Sequence, residues 1–251
     1  MAHPAVLKTS QLVLAGDLPG AERALAQVAE TEGDTALVAL LDEVPAKDLL
    51  AIMREFDGSR ESIINMVVTP EQFARAVVLE TRYGDQGHDR LRGMMNAVLY
   101  RDETLAAEYL EAIGETQDGY GVLADYFADR FDEILNFATS GQLQEDFTPA
   151  ETMEVKSLAW LSERIDEIDE ALHDGDSMLA ARPKRTRTEV ADHDWMETAW
   201  VLRYELTDIF EQVVITMRDR MARRLEALHA PVPEQTPVDY STPEDEEESA
   251  L

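Results

Sequence analysis

Between residues 19 and 138 apolar side chains recur at three- and four-residue intervals, in blocks of roughly 10 to 16 residues closed by Gly, Pro or Asp corners. A block that short cannot hold a helix by itself, because helix nucleation is costly and one face stays apolar. Consecutive blocks must therefore cover one another. The pattern predicts an all-α fold in which short amphipathic helices stack into a superhelical repeat, and no strand pattern competes with it.

The blocks can be read in order. Ala21, Ala24, Leu25, Val28 and Ala29 mark a helix over 20–31 that stops at Gly33, and Asp34 is placed to cap the next, with Leu37, Leu40 and Leu41. Pro45 suits the first turn of a helix carrying Leu49, Leu50, Ile52, Met53 and Phe56, closed by Asp57-Gly58. Ser59 is read as the cap of a short helix with Ile63, Ile64, Val67 and Val68. Thr69-Pro70-Glu71-Gln72 is a capping box that opens a helix with Phe73, Val77, Val78 and Leu79. Leu91, Met94, Met95, Val98 and Leu99 trace a further stripe, and Leu105, Tyr109, Leu110 and Ile113 another. Gly84, Gly87 and Gly114 are read as stops, and Tyr120 between Gly119 and Gly121 as a tight corner. A longer helix from about 120 then carries Leu123, Tyr126, Phe127, Phe131, Ile134, Leu135 and Phe137 to Ser140-Gly141.

Beyond Gly141 the period lengthens. Thr148, Pro149 and Glu151 start a helix to about Leu172, and a second long helix is expected over 189–229. Together they predict a long antiparallel helical hairpin over 148–230, separate from a helical-repeat region over 1–141. Residues 231–251 hold seven acids and no base, and are expected to be a disordered acidic tail.

Charge narrows the functional classes. The chain has 52 Asp and Glu against 22 Lys and Arg, a formal charge of −30, and no cysteine. Such a surface repels phosphate backbones and anionic lipid, so nucleic acid and membranes are poor partners, while basic proteins and divalent cations are favoured. Without cysteine there is no disulfide, thiolate metal site or cysteine nucleophile. The first twenty residues lack the charged and continuous apolar regions of a signal peptide, and no apolar run reaches the roughly 18 residues of a membrane span, so the expected location is cytoplasmic. Residues 102–170 hold nineteen acids against Arg130, Lys156 and Arg164, while Arg218, Arg220, Arg223 and Arg224 cluster further on. The acidic middle is therefore expected to face the basic last helix.

The stretch DTALVALLDEVPAKDLLAIMREFDGSRESIINMVVTPEQFARAVVLE resembles the cytosolic N-terminal domain of MgtE-type magnesium channels and related soluble bacterial helical proteins. Leu40, Leu41, Pro45, Asp48, Leu49 and Leu50 match that family's phrase of a leucine-rich helix followed by Pro-x-Asp-Leu, and Thr69-Pro70-Glu71-Gln72 begins a second phrase. The resemblance covers residues 34–138 and implies a helical-repeat surface, tuned by magnesium and acting through contact rather than chemistry. The channel's transmembrane helices and nucleotide-sensing module are not matched, so transport is not implied.

Chemical signatures are few. There is no phosphate-binding glycine loop, no HExxH and no GxSxG. Asp125, Asp129, Asp132 and Glu133 fall at i, i+4, i+7 and i+8 of the expected helix, close enough to hold Mg2+ weakly. Glu189, His193 and Glu197 fall at i, i+4 and i+8 and would share one helix face as a ligand set; the competing reading is a solvated helix start, with Asp192 and Asp194 favouring its dipole. Asp174 and Asp176 resemble a fragment of a calcium loop without its glutamate. Arg182, Lys184, Arg185 and Arg187 form the only dense basic run, with no aromatic platform in it, and suit docking on an acidic surface. Trp195 and Trp200, five residues apart, do not share a stripe: both suit the core, and one suits an interface anchor instead. The reading is a non-enzymatic scaffold or adaptor that binds a protein partner, basic in character, with no cofactor. A Mg2+-responsive regulator and a metal-dependent helical enzyme are the alternatives. The long C-terminal helices also offer a surface on which two copies could pair.

Overall fold

The computed structural model describes residues 3–56, 62–80, 88–102, 104–143, 158–173 and 183–229. Among these, all regular structure is helical, with thirteen α-helices, two 3-10 turns and no strand. None of the helices is long and apolar enough to cross a membrane. The expected tail, the Thr148 helix start, Asp57-Gly58, Ser59, Gly84, Gly87, Asp174 and Asp176 lie outside the described residues.

Local signals set many of the boundaries. α1 (Pro4–Leu14) is a helix the periodicity did not announce, because its inward face is Val6 and the buried Thr9 while Leu7 and Leu14 point outward. α2 (Leu18–Glu32) begins at Asp17, whose carboxylate accepts from Gly20 N, and ends at Gly33 with φ 92°. That left-handed value is one glycine adopts without Cβ strain. α3 (Asp34–Leu41) and α4 (Ala46–Glu55) follow, with Gly33 and Pro45 in the cap positions. α5 (Ile63–Val67) is capped by Ser62, whose hydroxyl accepts from Ile64 N.

α6 (Pro70–Val77) carries the Thr69–Gln72 capping box in full. Gln72 also donates through Nε2 to Val38 O at 2.9 Å and Asp42 Oδ1 at 3.0 Å, so the same residue that starts α6 ties it to α3. α7 (His88–Leu99) and α8 (Ala106–Glu115) complete the first half.

The expected long helix from 120 is broken. α9 (Gly119–Tyr126) ends in a 3-10 turn at Ala128–Arg130, and α10 (Phe131–Ser140) restarts after it. Tyr126, the last residue of α9, and Phe127, which follows it before the turn, are both fully buried. Gly114 does not stop α8 but lies inside its last turn, where a Cβ would stand 2.6 Å from the Ile209 side chain. The corner at Gly119 is as tight as its neighbours suggest: Asp118 has φ 70°, and Gly119 packs on the Ile113 carbonyl.

The expected helix over 189–229 is also two. After a 3-10 turn at Arg187–Glu189, α12 (Trp195–Glu205) and α13 (Thr207–His229) meet at Leu206, with φ −130° and ψ 52°. The break separates two environments. α12 buries Trp195, Glu197, Thr198, Ala199, Val201, Leu202 and Arg203, nearly its whole circumference, as a helix inside a core does. α13 buries one stripe, Phe210, Val213, Val214, Met217 and Met221.

α12 packs on α8, and α13 on α9, α10 and α11 (Leu158–His173). One apolar cluster consequently runs from Val6 to Met217. Ile165 of α11 meets Met221 of α13. Asp169 receives both Nε and Nη2 of Arg218, at 2.9 and 2.8 Å, and Arg220 donates to Asp125 at 2.7 Å and to Gly121 O at 3.0 Å. The basic last helix does face acids of the middle region.

Candidate functional site

A buried polar cluster locks α12 in place. Tyr126 donates to Asn96 Oδ1 at 2.7 Å, Asn96 Nδ2 donates to Asp194 Oδ1 at 2.6 Å, and Thr198 Oγ1 lies 2.5 Å from the Tyr100 hydroxyl and 3.0 Å from that of Tyr126. Burial pushes both tyrosine hydroxyls well above the ordinary phenol range, so they remain donors at any working pH. Replacing Thr198 by valine removes one partner from each of two buried hydroxyls, which keep Asp194 O and Asn96 Oδ1, and is expected to lower stability by about 0.5–1.5 kcal/mol in a urea titration with unchanged helicity.

The cation candidates are drawn apart. Asp125 pairs with Arg220, Asp129 with Arg92 at 2.7 Å, and Glu133 with Arg130 at 3.3 Å. They do not lie on one helix: Asp125 is on α9, Asp129 in the 3-10 turn, and Asp132 and Glu133 in the first turn of α10.

Glu189, His193 and Glu197 do not share a helix face either. Glu189 sits in the 3-10 turn and accepts from Thr186, and His193 is an extra-helical residue with φ 53° stacked on Tyr100 at 5.5 Å. Glu197 is buried against Arg187 Nε at 2.9 Å. The helix starts later than the spacing suggested because Asp192 caps it, accepting from Asp194, Met196 and Glu197 N–H groups. Among the described residues no three His, Asp or Glu side chains are grouped to hold a metal ion.

What the fold assembles instead is a groove of about 330 Å³ between the end of α10, the loop before α12, and α12 itself. Phe137, Trp200 and Tyr204 supply aromatic walls, Gly141, Gln142 and Leu143 one edge, and Lys184 and Arg185 the other. Trp200 and Tyr204 are one helical turn apart and their rings lie 5.2 Å apart. Tyr204 meets Phe137 edge-on at 5.9 Å.

Beneath them Arg203, 1% exposed, donates to the Ala138 carbonyl at 2.8 Å and to Phe137 O. It thereby closes the C-terminal end of α10, and its guanidinium lies over the Phe137 ring at 4.9 Å. Desolvation on burial is the main cause that draws its pKa below the usual guanidinium value.

The basic edge is tied to this wall at two points. Trp200 Nε1 donates to Arg185 O at 2.9 Å, and Lys184 Nζ to Ser140 O at 3.2 Å. The sequence's basic run therefore does meet an aromatic platform, contributed by α10 and α12 rather than by the run itself. Of that run, Arg182 lies outside the described residues, and Arg187 turns inward to Glu197 and, at 3.8 Å, Glu205. Trp195 is core and Trp200 half-buried in the groove wall. The i, i+4 spacing of Trp200 and Tyr204 was a readable sign of this wall, whereas Phe137 and Gly141 gave no local hint of it.

The edge keeps its shape through a second capping box, in which Glu189 accepts from Thr186 N at 2.7 Å and Thr186 Oγ1 at 2.9 Å. These bonds, the backbone one foremost, hold the Glu189 carboxyl below its ordinary pKa. A depressed carboxylate stabilises above its unfolded pKa and loses that contribution as pH falls through the folded value. The Thr186 amide resonance is therefore expected to move upfield only below the ordinary glutamate range, and in Glu189→Gln to lose that step.

Comparison of the chain with family models, curated proteins and solved structures gives no match in any of the three.

Proposed function

We propose that this chain is a non-catalytic adaptor that binds an acidic segment of a protein partner in the groove between α10 and α12. The single observation that carries the reading is the juxtaposition of Lys184 and Arg185 with Phe137, Trp200 and Tyr204 in a chain of net charge −30. Aromatic walls offer desolvated contact area at low entropic cost, and two exposed cations select an anionic ligand and set its register. A basic partner, favoured by overall charge, is better suited to the acidic outer faces, and the groove itself favours the opposite sign.

The succession of short helices from α2 to α10 supports the helical-repeat architecture that the resemblance to the magnesium-channel domain implies. In this reading the repeat is the frame that holds α12. The arginine pairing of Asp125, Asp129 and Glu133 weighs against the magnesium-responsive alternative, since cation binding there would compete with ion pairs already formed.

The test is fluorescence anisotropy of a labelled, Asp/Glu-rich dodecapeptide carrying one phenylalanine, titrated with the full 251-residue chain. Binding at low salt, reduced about tenfold or more in K184E/R185E and by added salt, is the expected result. Affinity indifferent to the charge reversal, with helicity unchanged, would overturn the reading, because both replaced side chains are exposed.

A further inference from the structure

We infer that α1 is a self-association surface, on which a second copy of this chain pairs antiparallel along the face carrying Leu7, Gln11 and Leu14. The pairing goes beyond the groove reading and does not depend on it.

Apolar exposure is concentrated there. Among the described residues the exposed large apolar side chains are Leu7 at 56%, Leu14 at 89% and Met66 at 65%, and the two leucines stand seven residues apart on α1. At about 100° per residue Leu7, Gln11 and Leu14 form one stripe, on the side away from Val6, Thr9 and Leu12, which α1 turns to the core. The helix cannot roll this stripe inward, because its Ser10 hydroxyl donates to Asp48 Oδ2 of α4 at 2.6 Å. Two leucines held outward on one stripe, rather than scattered singly, mark a contact surface.

Charge selects the occupant. Residues 1–16 contain no Asp or Glu, the longest acid-free run in a chain that has 52 of them. Two copies of net charge −30 repel over most of their surfaces, and contact between them is least opposed where acids are missing. A cationic partner is drawn to the acidic faces instead, and anionic lipid is repelled with the rest of the chain.

Spacing makes the stripe self-complementary. A two-fold axis passing between Ser10 and Gln11 sets Leu7 of each copy against Leu14 of the other. In that register Asp17 of the second copy stands opposite Pro4. Lys8, exposed at the edge of the stripe, leans toward the N-terminal end of its own helix and hence toward that carboxylate, one turn away. Asp17 is exposed and receives Gly20 N on Oδ1 at 2.9 Å, so Oδ2 can take the lysine. Glu43 accepts from His3 N at the same end, so each lysine has two carboxylates to bridge, which keeps the contact weak. α1 is also only about 16 Å long, short of the roughly 800 Å² per partner of a lasting complex. Pairing is therefore reversible, with a Kd on the order of 100 µM.

The experiment is sedimentation equilibrium of the full chain from about 5 to 500 µM. The expected weight-average mass rises from 28.2 kDa toward twice that value, and the Kd falls about threefold or more as NaCl is raised, because screening relieves like-charge repulsion. L7Q/L14Q, which keeps good helix formers at two exposed positions, is expected to stay monomeric throughout. Since the chain has no cysteine, Gln11→Cys reads the register directly. Under mild oxidation it is expected to form an interchain disulfide about tenfold faster than Gln27→Cys, which lies on the exposed side of α2, and to lose that advantage when combined with L7Q/L14Q.

A chain monomeric over the whole range, equal coupling of the two cysteine variants, or association that L7Q/L14Q leaves intact would each overturn the inference. So would a monomeric chain that binds vesicles of zwitterionic phospholipid through Leu7 and Leu14, an outcome that assigns the face to lipid. None of these results bears on the groove, whose own test is K184E/R185E.

Discussion

Replacing Gly119 by alanine is expected to destabilise the protein by about 3 kcal/mol or more, a loss of roughly 6 to 12 °C in melting temperature. The added Cβ would stand 1.7 Å from the Ile113 carbonyl oxygen, a backbone atom that cannot rotate away. Only separation of α8 from α9 relieves the overlap, and that opens the cluster containing Ile113, Val122 and Leu123, all fully buried. Gly114→Ala is the comparison. Its Cβ would meet only the Ile209 side chain, at 2.6 to 2.9 Å, which can change rotamer, so a smaller cost is expected. A thermal melt in which the two variants behave alike would contradict the assignment of the strain to backbone contact.

Arg203→Met is expected to cost about 2–4 kcal/mol in a denaturant titration, although methionine fills much of the same volume. The loss comes from the carbonyls of Phe137 and Ala138, which receive the guanidinium in a buried place and would keep no donor from this side chain. Arg203→Lys should recover only part, because one ammonium cannot reproduce the planar fork that spans both oxygens. The same variants report on the groove, since Arg203 underlies Phe137 and Tyr204. Tryptophan emission from Trp200 is expected to shift in the methionine variant before global unfolding begins.

What could be read in the sequence was whatever depends on neighbours in the chain. The Thr69–Gln72 box, the glycine stops at 33 and 141 and the apolar stripes of α2 to α8 follow from spacing and turn chemistry, and the structure shows each of them. The break at Leu206 carries no glycine or proline. It exists because α12 is needed inside the core and α13 on its flank, a tertiary demand that no local pattern announces. Glu189, His193 and Glu197 do not share a helix face for a related reason: α12 begins only at Trp195, where the Asp192 carboxylate accepts from the Met196 and Glu197 N–H groups. α1 shows no clean apolar stripe in the sequence because its inward face includes a threonine and its outward face two leucines. The groove joins residues from Phe137 to Tyr204, and long separation hides such a site even when its cations and one aromatic pair are noticed.

The central position of α12 also bears on the order in which the protein can be made. The contacts that hold it, Asn96 with Asp194, Tyr100 with Thr198 and Tyr126 with Thr198, bridge up to 98 residues of chain. During synthesis α7, α8 and α9 must emerge long before the helix that covers them. Until Thr198 clears the ribosome, the buried hydroxyls of Tyr100 and Tyr126 lack the partner they have in the finished protein. Closure of the core is therefore a late event, and the nascent chain depends on collapse of its own short helices, or on a chaperone, through that interval.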